Sequence, residues 1–362
     1  MTAPARFALR HPGGSTPIVV GEGALAAVSD ELAGLVRDRR VFVVSTERVL
    51  ALHRGLLAPE LAEATAVTWL EVPEGEAAKT LAEAGRLWDA LLELGGKRDS
   101  RVIAFGGGSV GDLAGFVAGA FLRGIGVVQV PTTLLAQLDA AIGGKTAIDL
   151  PGGKNVVGLF HHPLAVVADT RLLATLPRAE LRSGLVEGVK MGVVARPELL
   201  DLAERDFDRL LAGDPAAAAP FVAIAGAAKA AIVERDPDES GDRQLLNLGH
   251  TLGHALETAL GHGTILHGDA VAHGLRFAFL LAERRGADPA LGGRVERLLL
   301  RLGVPPLPPV SPQIVLEILG RDKKAREAGL TWILPMAAGR CAREPLSAAD
   351  RLEERLRRFL AA

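Results

Sequence analysis

The chain has 362 residues, 49% of them hydrophobic and 23% charged, with a formal net charge of −2. That length exceeds the roughly 250–300 residues at which one core stops growing, so two domains are expected. The near-neutral balance excludes an overall basic character and makes nucleic acid an unexpected partner, and the single cysteine, Cys341, excludes an intrachain disulfide or a Cys-rich zinc site and fits a reducing, cytoplasmic setting.

Met1–Gly14 has no apolar segment of the signal-peptide kind, and no later apolar stretch reaches about 18 uninterrupted residues, so no membrane partner is expected. The first half alternates short apolar runs with helical patterns. Val41–Ser45, Val102–Phe105 and Val127–Val130 read as buried parallel strands, and Leu81–Leu94 as one of the intervening helices. After Pro177 the pattern changes to Leu/Ala/Arg segments of helical period, namely Glu180–Val194, Ala217–Glu234, Asn247–Ala259 and Ala270–Arg285. The expected division is therefore an α/β domain over residues 1–177 and an all-α domain over 178–362.

One bias locates residues worth attention. The cations are 33 Arg against 8 Lys, and the chain has two Asn and no Tyr. Lys145, Lys154, Lys190, Lys229, Lys323, Lys324, Asn155 and Asn247 all fall in Gly-, His- or acid-rich segments. Gly106-Gly107-Gly108-Ser109-Val110-Gly111 is a G-x-G-x-x-G between a strand and a helix, where backbone amides can cradle a pyrophosphate; a tight structural turn is the alternative. It lies about 100 residues in and lacks the acidic residue some 20 positions later, which disfavours a standard Rossmann dehydrogenase. Gly143-Gly144-Lys145 and Gly152-Gly153-Lys154-Asn155 read as glycine-flanked loops offering lysine charge to a phosphate, or simply as solvated lysines. Five of the nine histidines lie between residues 250 and 273. His250 and His254 share a helix face at i,i+4, a spacing that suits a metal but is commoner in surface or core pairs. Glu187 in Ser183-Gly184-Leu185-Val186-Glu187-Gly188-Val189-Lys190 supplies a carboxylate, with an i,i+3 ion pair to Lys190 as the competing account.

In this order the segments resemble the 3-dehydroquinate synthase family from about Val41 to Ala342. The family's G-G-G-x-x-G-D-x-x-G-F-x-A reads Gly106 to Ala118, its P-T-T-L-L-A-x-x-D-x-x-x-G-G-K-T reads Pro131 to Thr146, and further matches are Glu187 to Lys190, Arg243 to His254, His267-Gly268 and Asp322-Lys323-Lys324. The resemblance implies a dehydroquinate synthase-like fold, a Rossmann-like NAD-binding α/β domain followed by an all-α metal-binding domain. It implies one zinc or cobalt ion on Glu187, His250 and His267. It places NAD along Glu74, Gly75, Glu76 and Lys79, the turn Gly108, Ser109, Val110, Gly111 and Asp112, then Thr132, Thr133, Lys145, Lys154, and the stretch Leu172 to Thr175. It assigns the phosphate of a sugar-acid phosphate substrate to Lys145, Asn155, Asn247, His254 and one of Lys323 and Lys324, with Arg123 reaching in across a homodimer. It assigns the carboxylate to Arg243 and Lys229, and the reacting hydroxyls to Asp139, Glu239, Lys190 and His250. The implied activity converts 3-deoxy-D-arabino-heptulosonate 7-phosphate to 3-dehydroquinate and phosphate in the shikimate pathway, by transient oxidation with NAD, phosphate elimination, reduction, ring opening and aldol closure. Asp269 departs from the usual glutamate and is expected to shift the orientation of His267, and an adenosine contact near Ser45-Thr46-Glu47 stays open. The rivals are a polyol dehydrogenase of the glycerol-dehydrogenase type, a sibling sugar phosphate cyclase and a silent NAD-binding module.

Overall fold

The computed structural model describes residues 2–261, 263–325, 331–346 and 351–361. They form two compact units, Met1–Pro177 with Ala212–Pro237, and Arg178–Leu211 with Asp238–Ala362.

The first unit is built on nine strands: β1 (Ala5–His11), β2 (Gly14–Gly21), β3 (Arg40–Ser45), β4 (Ala66–Glu71), β5 (Arg101–Gly106), β6 (Gly126–Pro131), β7 (Lys145–Leu150), β8 (Gly153–Phe160) and β9 (Ala165–Asp169). Seven of them make one sheet in the order β1-β2-β9-β6-β5-β3-β4, parallel throughout except where β1 folds back on β2. The apolar runs are continuous because both faces are covered: Phe42, Val44 and Val102 join one core with Leu87 and Leu113, while Val41, Val43 and Ile103 join the other with Leu32 and Leu57. The strand order reverses between β3 and β5, and in open sheets of this kind ligands settle outside the carboxyl ends of the strands at such a point.

Two departures from the sequence reading fall in this unit. The helix Pro215–Arg235 belongs to it, packed on β1 and β2. Asp214 caps it by accepting from Ala216 N at 2.9 Å, and Pro215 stands at its first position. Among the described residues it is the one helix long and apolar enough to cross a membrane, and most of it is buried in the unit. The second departure is that the two lysine segments are not loops. They open the strands of an antiparallel ribbon, β7 with β8, in which Lys145 pairs with Phe160 and Leu150 with Gly153.

The second unit carries the helices Arg178–Val194, His250–Leu260, His267–Ala282, Pro289–Leu302, Pro312–Ala325 and Leu352–Ala361. It is not all-α, because β10 (Thr331–Ala337) and β11 (Arg340–Pro345) form an antiparallel pair. Pro335 and the Gly339 turn mask the strand signal, yet Trp332 and Leu334 alternate into a core with Leu252, Phe277, Leu281 and Leu356, which is why the segment pairs. The helical part of the expectation holds for the rest of the unit.

Candidate active site

The helix Gly108–Ala120 starts directly beyond β5 with Gly107 at its N-cap and no side-chain cap, so the first-turn amides have no side-chain cap partner and suit an anion. Glycine is required there by close approach. A Cβ at Gly111 would meet Gln129 Oε1 at 2.9 Å, and one at Gly115 would collide with Thr146 Cγ2. Thr132, beyond neighbouring β6, donates its N–H to Gly106 O at 2.9 Å, and Thr133 Oγ1 accepts from Ala136 N at 3.2 Å. Ser109 Oγ donates to Glu76 Oε1 at 3.2 Å, on the turn that Glu74 and Gly75 open.

Lys79 is only 3% exposed, and its Nζ lies 2.8 Å from Asp112 Oδ2 and 3.9 Å from Asp149 Oδ1 and Glu76 Oε2. It also donates to Asn155 Oδ1. Burial works against its charge, but Asp112 and then Glu76 outweigh it, and the ammonium titrates above its ordinary value. Burial in turn raises Asp112, opposed by Lys79. Lys79 therefore ties the glycine helix to the β7–β8 ribbon. Asn155 is brought into this cluster, in the left-handed region at φ 56°, with its N–H on Asp149 Oδ1 at 2.7 Å.

Lys145 and Lys154 stand toward opposite ends of the ribbon, about four residues or roughly 14 Å apart at the usual strand rise. Asp139 lies in a single π-helical turn, Ala136–Ala140, where it ion-pairs with the buried Lys229 at 2.7 Å; Lys229 also donates to the Asp139 carbonyl at 2.5 Å. Three expected contacts look different in the structure. Leu172 is a core side chain, leaving only its backbone for a ligand. Thr175 Oγ1 is 2.8 Å from His53 Nε2. Ser45 is buried with its hydroxyl on Phe105 O at 2.6 Å, which closes it to a ribose, and Thr46 caps the following helix by accepting from Val49 N at 3.4 Å. Arg123 is exposed at φ 67°, just past the glycine helix.

In the second unit Glu187, 1% exposed, points from Arg178–Val194 at two histidines. Its Oε2 is 2.5 Å from Lys190 Nζ. Its Oε1 is buried without a hydrogen-bond partner and lies 3.7 Å from His250 Nε2 and 3.7 Å from His267 Nε2. The outer nitrogens fix the tautomers. His250 Nδ1 is 3.2 Å from Leu248 O, and His267 Nδ1 is 3.1 Å from Glu257 Oε2, so each Nδ1 donates and, in the neutral ring a metal requires, each Nε2 is left to turn a lone pair inward. Burial, then the Lys190 charge, holds His250 well below its ordinary pKa and keeps it neutral. His267 is raised, because the bond to Glu257 and the charges of Glu187 and Glu257 together outweigh its burial. A tetrahedral ion with bonds of about 2.0–2.1 Å holds its donors roughly 3.3–3.4 Å apart, so one carboxylate oxygen and two imidazole nitrogens at 3.7 Å fit such an ion closely.

His254 joins the cluster: ring nitrogens of His250, His254 and His267 all lie within 4.8 Å of one another. Beside them, the turn Asp242–Asn247 carries the buried Arg243, and Asn247 Nδ2 donates to Glu239 Oε1 at 2.8 Å, with Glu239 at φ 57°. Lys323 and Lys324 end the helix Pro312–Ala325, but their side chains lie outside the described residues. Sequence reasoning missed Glu257, although it lies seven residues past His250 and three past His254, on their helix face. The Asp269 carboxylate takes the Arg182 guanidinium, while Glu257 is the carboxylate bonded to the His267 ring.

The chain matches the 3-dehydroquinate synthase N-terminal family over residues 69–183 and the 3-dehydroquinate synthase C-terminal family over residues 184–325. A 3-dehydroquinate synthase of Geobacter metallireducens is 46% identical over 322 residues, 88% of this chain and 89% of that protein. The fold is also that of a 2-deoxy-scyllo-inosose synthase complexed with carbaglucose-6-phosphate, NAD+ and Co2+, with a TM-score of 0.88 at 27% identity over 98% of this chain and 100% of the other. The 2-epi-5-epi-valiolone synthase of Streptomyces hygroscopicus subsp. jinggangensis, with NAD+ and Zn2+ bound, gives 0.86 at 29% identity over 96% of each chain.

Proposed function

The chain belongs to the 3-dehydroquinate synthase family, and from that premise we infer which residues carry the family's reaction. It is a carbocycle-forming lyase of the shikimate pathway that converts 3-deoxy-D-arabino-heptulosonate 7-phosphate to 3-dehydroquinate and phosphate, with NAD and a divalent metal, zinc or cobalt. The observation that carries the site assignment is the orphaned Glu187 Oε1, equidistant from two inward imidazole nitrogens. Glu187, His250 and His267 hold the metal in this reading. When bound, NAD supplies the transient oxidation that acidifies the neighbouring C–H, and the metal supplies Lewis-acid stabilisation of developing negative charge.

The first-turn amides of Gly108–Ala120 and Thr132 and Thr133 take the dinucleotide, with Lys154 at one end of the ribbon. Lys145, at the other end, gives a point charge to the substrate phosphate, and Asn155 its side-chain amide. Asn247, oriented by Glu239, and His254 donate to phosphate oxygens. Arg243 offers its guanidinium fork to the carboxylate. Lys190, held beside Glu187, and Asp139 with Lys229 fix charge and hydrogen bonds where hydroxyls react. The proposal includes a homodimer with Arg123 at the neighbouring subunit's substrate.

The test is turnover with NAD in slight excess over enzyme and zinc or cobalt present. Phosphate release should continue for many cycles without net NADH absorbance, because the cofactor is reduced and reoxidised within each cycle. Stoichiometric NADH without phosphate would overturn this reading in favour of a polyol dehydrogenase.

A further inference from the structure

Two neighbouring contacts join the helix that carries Glu187 to the helix that carries His267. Arg182 Nε and Nη2 both reach the Asp269 carboxylate, at 2.7 Å to Oδ1 and 2.7 Å to Oδ2, and both side chains are largely buried. One residue after Arg182 and one before Asp269, Gly268 N donates to Ser183 Oγ at 3.0 Å. That hydroxyl satisfies a first-turn amide of His267–Ala282, whose own N-cap, Leu266, offers no side-chain cap. A Cβ at Gly268 would collide with the Ser183 backbone, so the helices cross here at the closest approach glycine allows. The ion pair lies two residues from His267 and five, about one and a half turns, from Glu187.

We propose that Arg182 and Asp269 are positioning residues of the metal site: their two-pronged ion pair sets the register of the two helices and thereby the distance between Glu187 Oε1 and His267 Nε2. The proposal rests on the assignment of Glu187, His250 and His267 as ligands. A fork of two parallel hydrogen bonds fixes both separation and rotation, which a single bond does not. Neither side chain is placed on the metal, so the pair acts through the ligands it holds.

The experiment compares wild type with Asp269→Asn, Arg182→Lys and the double variant Arg182→Met/Asp269→Leu, using Co2+ alone as the probe. Three quantities are read: thermal unfolding of the metal-free protein, Co2+ affinity by competition with a chelating dye, and the visible ligand-field spectrum at saturation. Asp269→Asn should lose stability and bind Co2+ about 10- to 100-fold more weakly, the usual scale for groups that hold metal ligands. The double variant, which leaves no buried charge unpaired, should recover metal-free stability yet keep at least a roughly tenfold loss of affinity and an altered spectrum. Arg182→Lys keeps the charge but not the fork and should fold normally with weakened binding. Wild-type affinity and spectrum in either folded variant would overturn the positioning role. Unchanged Co2+ binding in His250→Ala would instead overturn the ligand assignment on which the proposal depends.

Discussion

Glu187 and Lys190 form a pair whose two members are both almost fully buried, 2.5 Å apart. Removing one partner of such a pair leaves an uncompensated charge and costs up to about 3–5 kcal/mol. A bound divalent cation would compensate Glu187 in place of Lys190. Lys190→Met should therefore destabilise the metal-free protein more than the metal-loaded one, and the melting-temperature rise on adding zinc should be larger in the variant; equal rises would separate Lys190 from the metal site. Lys145 makes a second residue-scale prediction. If it meets phosphate as a charge-assisted donor, Lys145→Ala should lose about 1.5–3 kcal/mol of transition-state binding, roughly 10- to 150-fold in kcat/KM. Steady-state kinetics decides it, and an unchanged kcat/KM would return Lys145 to a solvated strand position. The candidate residues stood out because the few lysines and asparagines of an arginine-rich chain gather in Gly-, His- or acid-rich segments, while the metal set Glu187, His250 and His267 came from the family resemblance. Glu257 was not legible as a partner of His267, since nothing local distinguishes a carboxylate that bonds ten residues away from one that faces water.

At the scale of elements, strands covered on both faces announced themselves. Val41–Ser45, Val102–Phe105 and Val127–Val130 became Arg40–Ser45, Arg101–Gly106 and Gly126–Pro131. The β7–β8 ribbon and the β10–β11 pair did not, because glycine, proline and charge break their alternation and their stability comes from partners remote in sequence. β7 also shows what the glycine helix requires. Thr146 on β7 occupies the space that a side chain at Gly115 would need, so Gly115→Val must push the ribbon or the helix aside. Such overpacking costs typically about 1–3 kcal/mol. Urea unfolding should register that loss, together with weaker NAD binding if the ribbon moves with its two lysines. Unaltered stability would show that Thr146 yields freely.

For the whole molecule, acid is the condition that exposes stored costs. His53 and His273 are buried; burial lowers both, and Arg276 adds to the effect at His273, whose Nε2 donates to Pro305 O at 3.1 Å. In the unfolded chain each takes a proton near its ordinary value of 6.5, while the folded state refuses it until lower pH. Stability is thus full above 6.5 and falls as pH drops from there toward the lower folded values. His273→Gln, which retains an amide donor, should flatten the fall between about pH 7 and 5; a slope identical to wild type would clear His273 of that role. The presence of two units was legible from length and pattern, but the return of residues 212–237 to the first unit was not, because an alanine-rich helix carries no mark of the sheet it will cover. That return bears on how the protein is born. When Pro177 leaves the ribosome, the strands of the first unit are all made, but β1 and β2 still lack the helix Pro215–Arg235 that covers them. At about 5–20 residues per second, the 60 residues to Pro237 take roughly 3–12 s to follow. Throughout that interval the nascent sheet presents an apolar face, so in a chain stalled near residue 177 strands β1 and β2 should be cut by protease, and in one stalled far enough beyond Pro237 for the helix to emerge they should be protected.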